Sequence, residues 1–377
     1  MMNAAYMMNA ALQNALQSQL ERWQHFAPCP GTNVTIIVSD QGIWNGASGH
    51  SNVDTAEVMD RNANCYIYSI TKTFTAIRIL QLCEQDALSL NDPISRYLPE
   101  LSHHPAINIR QLLNHTSGIP SYTDLQGYLP ANLAQPSNAW SHDEVVKMTC
   151  TGELDFSPGE GWHYSNTGYM LLHRLIEAVS KRSFADNINE GIVEQIELKK
   201  TYVATGIDAG KLTPGYCPYL NDLEVMEDVT QIYHPGWCLT GLIVSTTEEI
   251  AQLYAALFNH RLINPESLKE MTRWLPCGNE THPFFNKSCY GLGLMIDPEW
   301  QYGGFYGHGG DGPGFNTWAL HLPDFEGSEV TLVVFCNATM GSHPYKLTKN
   351  LLRTLANNYI STHHDNPRRK PSDIHRS

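Results

Sequence analysis

The sequence predicts an α/β fold of the α+β kind: an antiparallel sheet flanked by helices, with an all-helical lobe inserted between its first and last strands. β-rich runs cluster at the two ends of the chain, helical periodicity fills the middle, and the links between the terminal runs are too short for parallel crossovers. Near the start, Val34-Thr35-Ile36-Ile37-Val38 and Gly42-Ile43-Trp44-Asn45-Gly46-Ala47 flank a turn at Asp40-Gln41-Gly42 and read as a hairpin. Near the end, the runs at 290–296, 304–308, 316–322 and 330–335 read as further strands. Leu12, Leu16, Leu20 and Trp23 repeat at helical spacing, and this helix and one at 345–359 are expected to cover the sheet. Between the ends, 242–258 reads as a single amphipathic helix. The expected division is an α/β lobe from 1–84 and 286–365, a mainly helical lobe at 85–285, and a disordered basic tail at 366–377. At 377 residues the chain exceeds what one core usually serves, and 42% hydrophobic residues can fill two.

Composition narrows the function. The 24 Lys and Arg against 38 Asp and Glu give a formal charge of -14, which disfavours nucleic acid or an anionic membrane as partner and leaves a small-molecule or peptide substrate. Nine cysteines, scattered singly with no CxxC pair, read as reduced thiols. No apolar run approaches the roughly 18 to 20 residues that cross a bilayer, and the stretch from Met1 lacks signal-peptide character, so a cytoplasmic location is expected. Seventeen histidines include the doublets His103-His104 and His363-His364. Neighbours in a helix or strand point apart, so a doublet chelates poorly. No metal site and no cofactor are expected.

Three short motifs carry chemistry. Ser69-Ile70-Thr71-Lys72 lies where a strand-like run turns into a helix, and residues three apart share a helix face, which brings the Lys72 amine to the Ser69 hydroxyl. Serine also caps helices, so this motif gains meaning only from partners further along the chain. Tyr164-Ser165-Asn166 lies between a Pro158-Gly159 turn and a helix marked by Met170, Leu171, Leu175, Ile176 and Val179; a second such triplet is Tyr219-Leu220-Asn221. His308-Gly309-Gly310-Asp311 offers glycines that let backbone approach a ligand, or alternatively a Gly-rich loop between two strands.

In this order the three motifs resemble the serine β-lactamase-like hydrolases: class C β-lactamases, DD-carboxypeptidases, D-aminopeptidases, D-amino-acid amidases and related esterases. Leu88-Ser89-Leu90-Asn91-Asp92-Pro93-Ile94, Leu112-Leu113-Asn114-His115-Thr116-Ser117-Gly118, Gly241-Leu242-Ile243-Val244-Ser245-Thr246 and Tyr290-Gly291-Leu292-Gly293-Leu294 agree, so the resemblance runs from about residue 30 to about residue 340. It implies a β-lactamase/transpeptidase-like fold with the site between the lobes. It further implies Ser69 as nucleophile, with Lys72 and Tyr164 as a joint proton-transfer pair in which either can be the base. The backbone N–H groups of Ser69 and Asp311 form the oxyanion hole in this reading. Asn166 binds the substrate amide or orients Lys72, and His308, Gly309, Gly310 and Asp311 line the opposite wall.

His308 departs from the Lys-Thr-Gly of many β-lactamases and penicillin-binding proteins, and a histidine is mostly neutral above a pKa of about 6.5. That weakens recognition of a substrate carboxylate. Within the family, His at this position is similar to some DD-peptidases, D-aminopeptidases and D-amino-acid amidases, so the resemblance implies an acyl-enzyme hydrolase of amide or peptide bonds in small D-amino-acid substrates. A carboxylesterase or weak β-lactamase on the same site is the first alternative, and a non-catalytic binding protein the second. No GxSxG elbow is present, which sets aside the α/β-hydrolase type of esterase.

Overall fold

The computed structural model describes residues 7–207, 212–218, 220, 225–278, 283–339 and 343–364. Tyr219 and Asn221 of the second triplet and the 366–377 tail lie outside the described residues, as do the side chains of His363 and His364.

In chain order, α1 (Ala10–Phe26) leads into β1 (Gly31–Val38) and β2 (Gly42–Asn52), then β3 (Glu57–Val58), β4 (Asn64–Tyr66) and the long α2 (Thr71–Glu84). Helices α3 (Ile109–Leu113), α4 (Tyr128–Ala134), α5 (His142–Thr149), α6 (Asn166–Ser180) and α7 (Phe184–Ile188) come after it. Next come β5 (Tyr202–Val203), β6 (Tyr216–Cys217), β7 (Glu227–Asp228), β8 (Ile243–Thr246), α8 (Thr247–Phe258) and α9 (Pro265–Thr272). The chain closes with β9 (Leu275–Pro276), β10 (Cys289–Tyr290), β11 (Met295–Asp297), β12 (Phe305–Gly312), β13 (Phe315–Phe325), β14 (Ser328–Cys336) and α10 (Pro344–His364).

The main sheet runs β3-β2-β1-β14-β13-β12-β11-β10-β9, and its paired neighbours are antiparallel. The hairpin is in the predicted place, with Ile36 opposite Trp44, and β1 then pairs with β14 to join the two ends of the chain. Side chains alternate between the two faces of a strand. Val34, Ile36 and Val38, with Leu332 and Val334, pack against Leu12, Leu16 and Leu20 of α1 and Leu347, Leu351 and Leu355 of α10. Ile37, Val333 and Phe335 face the opposite layer, which holds Ile250, Leu253 and Leu257 of α8. Both faces are thus covered: the α1/α10 side is apolar, while the α8 side also buries Asn33, Thr35, His321 and Thr331, each with a hydrogen-bond partner.

Three expectations change. The run 290–296 is not one strand but two, β10 and β11, paired antiparallel across a turn at 291–294. The stretch 242–258 is not one helix: Ile243–Thr246 is extended and pairs with Asn64–Tyr66, because β-branched Ile243, Val244 and Thr246 suit a strand and β4 offers a free edge. Thr246 then caps α8 by accepting from the Glu249 N–H. The glycine-rich segment after His308 is strand rather than loop, paired with β13 through Gly312. Helix α8 packs on the main sheet and β9 pairs into it, so we propose that the helical lobe comprises α3 to α7 and that residues from β8 onward belong with the sheet.

Helix α2 is enclosed along nearly its whole length, from Thr71 to Leu82. Its polar residues are tolerated because each has a partner. Thr73 donates to the Gly293 carbonyl at 2.8 Å, Arg78 to Asn187 Oδ1 at 3.1 Å, and Gln81 to the Gly191 and Leu262 carbonyls at 2.7 and 3.0 Å. The helix is thereby fixed between the layers, and its first turn carries the site.

Candidate active site

Ser69 owes its position to a sharp turn between β4 and α2. Tyr68 takes a positive φ of 45°, a conformation that costs a bulky residue about 1 to 2 kcal/mol, and the surroundings hold it there. Its hydroxyl donates to the Pro313 carbonyl. A Cβ on Gly312 would stand 2.5 Å from the Tyr68 ring, and one on Gly241 would stand 2.8 Å from Tyr68 Cα, so both neighbours must be glycine for this packing. The turn leaves Ser69 half-buried and facing a cleft.

One helical turn later, Lys72 is fully buried. Its Nζ donates to Ser69 Oγ at 3.0 Å, Asn166 Oδ1 at 2.8 Å and Thr240 Oγ1 at 3.0 Å. It also lies 4.7 Å from the centre of the Tyr164 ring and 5.4 Å from that of Tyr169. Burial pulls the ammonium down to about 7, with Cys238 opposing the shift. Near neutral pH a large fraction of the amine is therefore unprotonated, where a free lysine would be so in only about one molecule in 2,500.

Tyr164 and Asn166 are held by the start of α6. Ser165 caps the helix by accepting from the Gly168 N–H, and its own N–H donates to His115 Nδ1 at 3.0 Å. His115, buried and left-handed at φ 64°, sets its ring 4.4 Å from Tyr164 in a tilted contact and 4.6 Å from Tyr290 edge-on. Burial, then the ammonium of Lys72, holds the His115 imidazole well below its usual pKa. Asn166 is anchored at both ends: its N–H donates to Ser121 Oγ at 3.1 Å and its Nδ2 to Thr123 Oγ1 at 3.1 Å.

The opposite wall is β12. A Cβ on Gly310 would meet the Ile67 carbonyl at 2.1 Å, so the strand runs directly against the turn that presents Ser69. Thr317 ties the same point, donating within reach of both the Ile67 and Gly310 carbonyls at 3.2 Å. Gly309, Gly310 and Asp311 face the cleft. His308, expected on the wall, lies behind it, fully buried, with Nδ1 donating to the Gly309 carbonyl at 2.6 Å and Nε2 accepting from the Tyr290 hydroxyl at 2.9 Å. Burial, then Lys72, pushes its pKa to about 3. Asp311 is exposed at the mouth, yet flanked by enough protein that desolvation raises its carboxyl to about 6 against the Gly312 N–H.

The cleft encloses about 780 Å³ between Ser69, Tyr164 and Asn166 on one side and Gly309, Gly310 and Asp311 on the other, with Trp162, Phe285, Tyr290, Trp318 and Tyr345 as apolar walls. Among the described residues lining it, none is Lys or Arg. The arrangement can take a proton from a hydroxyl, bind a neutral or cationic group, and enclose an aromatic one. Among the described residues, no group of three His, Cys, Asp or Glu side chains could hold a metal ion. The sequence motifs name Ser69, Lys72, Tyr164, Asn166 and the β12 residues. They give no role to Thr240 or His115, which belong to no spacing rule, nor to Tyr290, whose partner His308 is identified only in three dimensions.

Comparison with known proteins places this geometry. The Beta-lactamase family matches residues 22–356. Penicillin-binding protein 4* of Bacillus subtilis (strain 168) is 29% identical over 311 residues, 78% of this chain and 66% of that protein, so the chain spans just under two thirds of its length. A D-stereospecific amidohydrolase from Streptomyces sp. superposes with a TM-score of 0.76 at 28% identity, covering 89% of this chain and 97% of that one. The D-amino acid amidase from Ochrobactrum anthropi SV3 shares the fold, with a TM-score of 0.79 at 24% identity over 92% of this chain and 100% of that one. A match from the last turns of α1 into α10, over a sheet and helix layer common to these structures, means that this chain belongs to the beta-lactamase family of serine hydrolases.

Proposed function

We propose that the chain cleaves amide or peptide bonds of small D-amino-acid-containing substrates through an acyl-enzyme on Ser69. The observation that carries this reading is the buried, carboxylate-free setting of Lys72 at 3.0 Å from Ser69 Oγ. A serine hydroxyl attacks a carbonyl only as its proton leaves, and a neutral amine at hydrogen-bond distance can take it. Lys72 and Tyr164 then act as a joint pair, returning the proton to the leaving amine and activating the water that releases the acyl group. The oxyanion is held by the backbone N–H groups of Ser69 and Asp311, on the two walls brought together at Gly310. The substrate class is supported by the Streptomyces amidohydrolase, at 28% identity, and by the neutral His308.

A carboxylesterase is the second reading, favoured by the lack of Lys or Arg among the described residues lining the cleft, none of which offers a permanent cation to a free carboxylate. Intact-protein mass spectrometry after a fluorophosphonate, with Ser69→Ala as control, tests the nucleophile. A single adduct lost in the variant is the expected result, and an adduct that persists in it overturns the assignment. Relative kcat/KM on D-amino-acid amides and short acyl esters then separates the two readings.

No described helix is long and apolar enough to cross a membrane. A cytoplasmic location is part of the proposal, resting on the thiol content, and recovery of the protein from the medium would overturn it.

A further inference from the structure

Lys72 Nζ has three oxygen partners and all are neutral: Ser69 Oγ, Asn166 Oδ1 and Thr240 Oγ1. An unprotonated amine has two N–H bonds and one lone pair, so its use as a base depends on where the lone pair points. Asn166 Oδ1 can only accept, and the amide is held in that orientation by its Nδ2 bond to Thr123. Thr240 spends its one hydroxyl proton on Asn166 Oδ1 at 3.0 Å, so it too can only accept from the amine. The two acceptors take both N–H bonds. The remaining tetrahedral direction is the one toward Ser69 Oγ.

We propose that Thr240 is a positioning residue that aims the Lys72 lone pair at the Ser69 hydroxyl, by holding one amine N–H and by locking the Asn166 carbonyl. This rests on the reading of Ser69 as nucleophile and Lys72 as its base. Thr240 is fully buried, and its place is set on both sides. The preceding Leu239 N–H is held by the Tyr122 hydroxyl at 2.9 Å, and the following Gly241 passes against Tyr68 Cα. The hydroxyl therefore has little freedom to turn elsewhere.

Replacing Thr240 with valine keeps the shape and deletes the hydroxyl. The neutral amine can then rotate an N–H onto Ser69, so fewer molecules are correctly aimed. The ammonium form meanwhile loses one of three acceptors, which disfavours it and lowers the Lys72 pKa further. The pairing of a lower rate with an acid limb moved to lower pH is a signature that a packing defect does not produce.

The other groups facing Lys72 do not imitate this signature. The imidazoles of His115, His173 and His308 are kept neutral mainly by burial, the last down to about 3. Burial pushes the Cys238 thiol to about 11 and the Tyr169 phenol well above its usual range. Tyr164 is shared by every variant, and Asp311 meets no ammonium when the probe is a fluorophosphonate.

The test follows the rate of Ser69 labelling by a fluorophosphonate from pH 5 to 9, by intact mass, in wild type, Thr240→Val, Thr240→Ser and Ser69→Ala. The valine variant is expected to lose about 10- to 100-fold at the plateau, with its acid limb below that of wild type, while serine stays within about three-fold. Thr240→Ala gives the same comparison should the valine variant fold poorly. An unmoved limb in the valine or alanine variant, or failure of serine to restore the rate, overturns the role of Thr240 while Ser69 labelling stands. A wild type that takes no label, or a Ser69→Ala variant that takes it equally, removes the proposed function itself.

Discussion

The hydroxyl of Tyr290 donates to Nε2 of His308 at 2.9 Å, and because His308 Nδ1 is already committed to the Gly309 carbonyl, the imidazole is fixed as a neutral acceptor. This buried pair stands where a lysine would present a charge. In Tyr290→Phe the ring packing is kept and His308 Nε2 loses its donor, which costs about 1 to 3 kcal/mol for a buried polar atom. Urea unfolding at pH 7.5 should show that loss, and an unchanged midpoint would mean that the bond does not form.

The same burial makes the fold sensitive to acid. His308 and His321 are both held at about 3, against 6.5 for an ordinary imidazole, with burial the leading cause. A histidine with a depressed folded pKa contributes stability that is complete above the unfolded value and is lost as pH falls from 6.5 toward 3, since only the unfolded chain binds the proton there. Each of the two should cost about 2 kcal/mol between pH 7.5 and 5. His115 and His173 act in the same direction. Asp311 opposes them, since its raised pKa favours the folded state at low pH, but it is exposed and counts for less. Lys72 adds its effect only above about pH 7. Unfolding free energies from urea titrations at pH 7.5 and 5 should therefore differ by several kcal/mol, and the gap should shrink in Tyr290→Phe, where His308 loses a bond that favoured its neutral form.

How far the sequence makes this legible depends on distance along the chain. The hairpin at 31–52, the strands β12 to β14 and α1 are readable because alternation and helical spacing are local patterns, whereas the apolar run at 290–296 conceals the turn that splits it into β10 and β11. The Ser69–Lys72 contact is readable because one helical turn sets it. Strand β8 reads as helix because its pairing partner, β4, is more than 170 residues away, and a four-residue strand whose apolar residues are Ile243 and Val244 is ambiguous without it. Thr240 and Tyr290 escape assignment for the same reason: each meets its partner, Lys72 or His308, only after the layers have packed.

Asn166 gives a direct handle on Lys72. In Asn166→Asp the carboxamide oxygen 2.8 Å from the amine becomes part of a carboxylate. An anion at that distance favours the ammonium and raises its pKa by about 1 to 3 units. The acid limb of kcat/KM should move from near 7 upward by at least one unit, with activity at pH 7 down about ten-fold or more and recovered in alkaline buffer. A profile that keeps its limb would show that Lys72 is not the group being titrated.

Gly310 tests the meeting of the two walls. An added methyl group would stand 2.1 Å from the Ile67 carbonyl and 2.4 Å from Thr317 Oγ1, and both are rigid. Gly310→Ala should force β12 away from the Ser69 turn at a cost of about 1 to 3 kcal/mol. Labelling of Ser69 by a fluorophosphonate should slow by more than the loss of thermal stability explains, because the Asp311 N–H moves with the strand. Normal labelling in a destabilised variant would mean that the strand does not help hold the oxyanion.

Asp311 bears on the choice of substrate. It is the one Asp or Glu among the described residues lining the cleft, and with a carboxyl at about 6 it is mostly ionised at pH 7.5 and mostly neutral at pH 5. If it meets a substrate ammonium, KM for a free-amine amide should rise as pH falls through 6, while KM for the N-acetylated analogue stays flat. Asp311→Asn should raise the free-amine KM at pH 7.5 by about two- to five-fold, the range for an exposed charge pair, and leave the acetylated analogue unchanged. Because the Asp311 contribution to the oxyanion site is its backbone N–H, kcat should be largely preserved. A KM that is indifferent to both pH and substitution would leave the carboxylate as a solvated residue at the mouth and return the choice of substrate to the aromatic walls formed by Trp162, Phe285 and Trp318.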